Sequence, residues 1–104
     1  MARSTLADGQ LGITEATLIS GADVPTGSVS VLLTNVSTAE QEVYLTFRRA
    51  GSTTSRRLMY RALKEDDQFF IRNLPIQPDD TLLGYAGGGS AVDYLIFAGS
   101  GELG

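Results

Sequence analysis

Seven of the eight basic side chains, Arg48, Arg49, Arg56, Arg57, Arg61, Lys64 and Arg72, fall between positions 48 and 72. That window holds three acids and carries +4, while the rest of the chain, one base against nine acids, carries −8. Arg48-Arg49 and Arg56-Arg57 flank a small polar stretch at 50–54, so a hairpin there would gather four guanidinium groups at one end. Arginine offers a planar fork of donors that suits carboxylate or phosphate. The same residues would equally serve to protect an edge strand and pair with acids across it. Binding to nucleic acid is disfavoured by the net charge of −4 and by the scarcity of aromatics interleaved with arginine. The expected contacts are with an acidic partner, through Arg48, Arg49, Arg56 and Arg57.

Other groups offer less. Glu65-Asp66-Asp67 and Asp79-Asp80 could hydrolyse a glycoside or hold calcium, yet no D-x-D-x-D-G loop is present and adjacent turn carboxylates usually face water. Asp80 reads as a turn or cap residue before Thr81. Gly87-Gly88-Gly89 lacks the phosphate-loop spacing and reads as an inter-strand loop. Asn35-Val36-Ser37 matches a glycosylation acceptor but is read as turn chemistry. Tyr44, Tyr60, Tyr85 and Tyr94 suggest a sugar-stacking platform; buried rings with wet hydroxyls are the plainer account. With no Cys and no His, neither a thiol nucleophile nor an imidazole base is available. No enzyme activity and no cofactor or metal are expected. The longest hydrophobic run, Tyr94 to Ala98, is far short of a membrane span, and no membrane association is expected. The first 25 residues show no apolar stretch like a secretory signal.

The elements that must position these groups are extended. The chain has 104 residues, enough for one core, and period-2 alternation dominates it. Residues 27–36 place Val29, Val31 and Leu33 on one face; residues 42–49 place Val43, Leu45 and Phe47 on one face. The turn residues between them predict a hairpin. A second hairpin is predicted from Arg49 through 50–54 into a strand at 55–61. Shorter strands are expected at 16–20, 68–72, 81–86 and 91–98, with turn signals at Pro25, Gly27, Pro75, Pro78 and the triple glycine. This spacing predicts an all-β fold: a single antiparallel β-sandwich, jelly-roll or immunoglobulin-like, of seven or eight short strands. Residues 1–12 read as an N-terminal arm, 13–98 as the sandwich and 99–104 as a flexible C-terminal tail.

The order Thr17-Leu18, Pro25, then Ser28 through Asn35, Arg56-Arg57-Leu58, Asp79-Asp80-Thr81-Leu82-Leu83-Gly84 and Val92-Asp93-Tyr94-Leu95-Ile96 resembles small β-sandwich virion structural proteins of tailed bacteriophages, over about residues 5–98. The sequence departs from that pattern in the charge at 64–67 and in its short first strand. The resemblance implies a head decoration (cement) protein made in the host cytoplasm. It would sit as a homotrimer on the capsid surface and bridge neighbouring major capsid proteins. Leu6, Leu11 and Ile13 would then anchor the arm on a neighbour, and Leu32, Leu95 and Phe97 would be covered by association. The alternative it implies is a carbohydrate- or receptor-binding module of a tail or fibre, with exposed aromatics near 85–91.

Overall fold

The computed structural model describes residues 5–24, 27–49, 51–52, 54–89 and 91–98. Pro25, Ala50, Thr53 and the tail at 99–104 lie outside the described residues. Eight strands follow one another: β1 (Thr5–Gln10), β2 (Ala16–Ser20), β3 (Ser28–Asn35), β4 (Gln41–Arg48), β5 (Arg56–Leu63), β6 (Gln68–Pro75), β7 (Thr81–Ala86) and β8 (Val92–Ala98). A single 3-10 turn, Gly21–Asp23, follows β2. The strands form two antiparallel four-stranded sheets, β1-β8-β3-β6 and β2-β7-β4-β5. Every consecutive pair except β4 and β5 crosses between the sheets, which is the nested order of a jelly roll. The β-sandwich expected from alternation is therefore the fold.

Central strands carry the core. Val29, Val31 and Leu33 of β3 face Val43 and Leu45 of β4 across the sandwich, all fully buried, with Leu82 and Ile96 beside them. Burying such side chains stabilises by about 1.5–3 kcal/mol each. The edge strand β5, by contrast, is exposed along most of its length. Its arginines oppose strand addition from another chain.

Two expectations are corrected. β3 and β4 do not form a hairpin: β3 pairs with β6 and β8, and β4 with β5 and β7. Both strands bury an apolar face, so each completes its own sheet, and the 36–40 connection spans the sandwich instead of turning back. Residues 5–10 of the expected arm are a strand paired with β8, and Leu11 is 1 % exposed within this chain's own core. Leu6 packs against the same core, leaving Ile13 alone of the three apolar contact candidates exposed, at 66 %. The sandwich thus includes Thr5–Gln10, ahead of the expected start at residue 13.

Loops 11–15, 36–40 and 64–67 gather at one end with residues 87–89 and 91, tied by Leu11 N–H to Val92 O, Val36 N–H to Ala91 O and Ala86 N–H to Gly12 O. The opposite end holds the described residues between β4 and β5 and the 76–80 loop, with Gly21 N–H bonded to Asp80 O. The whole is a slab of 38 × 36 × 17 Å.

Candidate functional site

The β4–β5 hairpin forms as expected, with Phe47 opposite Arg56 and Thr46 opposite Arg57. It does not gather four guanidinium groups. Alternation turns Arg48 onto the outer face, where its Nη2 donates to Ser55 Oγ at 3.0 Å and lies 3.5 Å from Glu15 Oε1. Glu15 also accepts from Thr46 Oγ1 at 2.5 Å and from Ser55 Oγ at 3.1 Å. Arg48 is thus a strut between the β1–β2 connection and the sheet, and its buried Nε has no hydrogen-bond partner.

Arg49, Arg56 and Arg57 do come together. They line a cleft of about 360 Å³ with Phe47, Leu58, Leu74 and Pro75. Two irregularities build it. Between Leu45 and Thr46 the register with β5 shifts, Leu58 being the extra residue, and this turns Leu58 outward to 39 % exposure. On β6 the register shifts between Val29 and Val31, where Ser30 faces Arg72 and Asn73; Asn73 takes φ 54° and donates its N–H to Ser30 Oγ at 3.2 Å. That bulge re-aims the strand end, bringing Leu74 and Pro75 to the cleft. The remaining strand arginines are engaged elsewhere: Arg61 lies 4.6 Å over the Phe69 ring and Arg72 4.8 Å over Phe70. Among the described residues the one ion pair is Arg48 with Glu15, and no described carboxylate pairs with the arginines of the cleft.

The outer face of β1-β8-β3 carries a second, acidic hollow of about 460 Å³, lined by Asp8, Gln10, Leu32, Thr34, Asp93 and Leu95. Gln10 Nε2 donates to Asp93 Oδ1 at 2.9 Å. Leu32, Leu95 and Phe70 stand in one cross-strand row there, and Phe97, on the same face, is 4 % exposed.

Three of the four tyrosines stand side by side on the outer face of the other sheet, in register across β5, β4 and β7. Tyr44 stacks on Tyr85 at 4.6 Å and 10°, and meets Tyr60 at 4.9 Å and 44°. Tyr44 has both ring faces occupied, and of its two neighbours Tyr60 is the exposed one. Tyr94 packs against the core of the other sheet. The sequence offered the four tyrosines as a platform without placing them; the register that aligns three of them is set by pairing between strands far apart in the chain.

Tyr60 donates its hydroxyl to Glu42 Oε2 at 2.6 Å. That bond, then partial desolvation and the Glu42 charge, raises the phenol above its usual value of 10.0. The bonded, protonated phenol therefore contributes stability below the ordinary tyrosine range, and loses it as pH rises through the raised value. Glu42→Gln is expected to bring the highest tyrosinate absorbance step down towards the ordinary value, with Tyr60→Phe identifying that step by removing it. A step unmoved by Glu42→Gln would refute the assignment.

The carboxylate clusters are structural where they are bonded. Asp80, 4 % exposed, accepts the Gln77 N–H at 3.0 Å, and Asp67 accepts the Lys64 N–H at 3.0 Å. Among the described residues no three His, Cys, Asp or Glu side chains converge as metal ligands. No protein-family model matches the chain, and no curated protein or solved structure matches it either.

Proposed function

We propose that this chain is a non-enzymatic structural protein of a tailed-phage virion, a capsid decoration protein that bridges neighbouring major capsid proteins and assembles as a homotrimer. The observation that carries this reading is the separation of charge on a thin slab. Three guanidinium groups without a carboxylate partner among the described residues edge one end, and Asp8 and Asp93 line a hollow on the outer face of β1-β8-β3. Unlike patches on different faces of one body favour head-to-tail contacts, which close into rings when the rotation allows. On a lattice that offers many copies of a partner, weak single contacts add by avidity. The jelly-roll frame, wound from strands that alternate between sheets, keeps such patches at fixed positions.

A second reading, a tail- or fibre-associated carbohydrate- or receptor-binding module, draws on the open ring face of Tyr60, which is 46 % exposed. Sugar rings bind to such faces by stacking. Locating the chain in purified particles separates the two. Decoration predicts a copy number near that of the major capsid protein, on the capsid surface, and an oligomer by light scattering. A monomer confined to the tail tip would refute it and favour the glycan-binding reading.

A further inference from the structure

We propose that the cleft framed by Arg49, Arg56 and Arg57 binds an acidic peptide segment in which a carboxylate side chain sits beside an aliphatic one. The proposal deepens the docking reading above and rests on it for the partner being a protein. Three observations converge. Of the six arginines on or beside β4, β5 and β6, the three with a structural occupation are Arg48, Arg61 and Arg72. The three with none among the described residues are those that ring the cleft.

The floor is apolar. Phe47, Leu58 and Leu74 supply it, and Leu58 reaches it through an extra residue in the ladder that leaves the side chain 39 % exposed. An exposed leucine flanked by guanidinium groups matches a ligand with an apolar anchor and a negative charge a few ångströms apart. A phosphate or a nucleic-acid backbone would satisfy the arginines and leave that floor in water. The rest of the chain, at −8, would also repel a long polyanion.

Size gives the third constraint. About 360 Å³ lies at the lower end of ligand-sized cavities, with room for one or two side chains and none for a folded element. The occupant is therefore an extended segment, its aliphatic side chain on Leu58 and Leu74 and its carboxylate in the fork of Arg56 or Arg57. Such a charge-assisted pair, partly shielded beside apolar surface, is stronger than an exposed one.

The test uses the full chain and short blocked Gly-Ser peptides carrying a central Glu-Leu, Glu-Ala or Gln-Leu, with an oligothymidylate as a fourth probe, followed by NMR shift titration. The Glu-Leu peptide is expected to bind about tenfold more tightly than either single-feature peptide, and to shift signals of Phe47, Leu58 and Leu74. The paired substitution Arg56→Ala, Arg57→Ala should weaken it about tenfold with the thermal midpoint retained, and Arg48→Ala should not. Equal binding of Glu-Leu and Glu-Ala, preference for the oligonucleotide, or shifts confined to other faces would overturn the proposal. The chain's own Glu102-Leu103 has the same chemistry. If Glu102→Gln with Leu103→Ser tightened peptide binding about tenfold, the cleft would belong to that segment and not to a partner. Peptide binding with no capsid occupancy would sink the decoration reading alone; capsid occupancy with no peptide binding would sink this proposal alone.

Discussion

Asn35→Ala is expected to lower the unfolding free energy by about 3 kcal/mol, from the loss of four side-chain hydrogen bonds, one of them buried and three part-buried. Asn35 ends β3 and is fully buried. Its Nδ2 donates to Leu63 O and Ala39 O, each at 2.8 Å, and its Oδ1 accepts from Ser37 N–H at 2.9 Å and Ser37 Oγ at 2.8 Å. Its backbone is also paired, N–H to Asp67 O and O from Asp66 N–H, at 3.0 Å each. The side-chain amide thus joins β3 to the 36–40 connection and the end of β5, while the backbone of the same residue ties in the β5–β6 turn. Truncation leaves the buried Leu63 carbonyl without that donor, and a desolvated group left unpaired costs about 1–3 kcal/mol by itself. The Ala39 and Ser37 ends are nearer solvent and recover part of their loss. For a domain whose whole stability is of order 0.05–0.15 kcal/mol per residue, this is a large share.

Asn35→Asp sharpens the test, because it keeps the shape and the two bonds from Ser37 while setting an acceptor against two carbonyls. A carboxyl in that position is pushed above its unfolded value by burial and by the facing carbonyls. The variant should therefore be most stable below the ordinary carboxylate range and lose stability as pH rises through the raised value. Urea denaturation over pH reads both effects. A loss under about 1 kcal/mol for Asn35→Ala would show that water replaces the amide and that the hub is not structural.

That asparagine also marks how far the chain could be read from its letters. Asn35-Val36-Ser37 was legible as turn chemistry, and the bonds from Ser37 to Asn35 Oδ1 are that turn. What the turn joins was not legible. Alternation in β3 and β4 specifies which side chains face the core, and Val29, Val31, Leu33, Val43 and Leu45 are all fully buried. It does not specify which strand lies beside which, since a strand with a buried face is satisfied by any neighbour that completes its ladder. The nested order is decided by contacts between residues far apart in sequence, such as Leu32 with both Phe70 and Leu95. β1 escaped for another reason: Thr-Leu-Ala-Asp-Gly-Gln is polar and broken by glycine, and it becomes a strand through backbone bonds to β8.

The same division holds for the cleft. The clustering of arginine was visible at once, but the expected gathering of four was not met: Arg48, the last residue of β4, is held by Ser55 and Glu15 instead. The floor was hidden because each of its leucines owes its place to a bulge. The strand expected at 68–72 continues past Asn73 to Pro75, and a period-2 reading stops where the extra residue inverts the pattern. Leu58 is identified as an exposed apolar residue only once the register shift on β5 is known.

Gly21→Ala should be as damaging as the loss of the Asn35 amide, at about 3 kcal/mol, the upper part of the range for overpacking. A Cβ on Gly21 would stand 1.7 Å from Gln77 O, 2.8 Å from Gln77 C and 3.2 Å from Ile76 Cγ1. The obstacle is backbone, so no rotamer change relieves it. Nor can the 77–80 turn easily retreat: Asp80 N–H closes it on Gln77 O, Asp80 Oδ2 holds the Gln77 N–H, and Asp80 O accepts from Gly21 N–H at 2.8 Å. Gly12→Ala is the matched control, since a Cβ there meets nothing within 4 Å. It should change stability by no more than about 0.5 kcal/mol, or raise it slightly by restricting the unfolded chain. If the turn does yield, the displacement runs back along the chain into Ile76, then Pro75 and Leu74, which line the arginine cleft. Gly21→Ala is then expected to shift the NMR signals of Leu74 and Leu58 even in molecules that remain folded, and Gly12→Ala to leave them in place. A stable Gly21→Ala variant with an unchanged spectrum would show that the 3-10 turn does not brace this end of the sandwich.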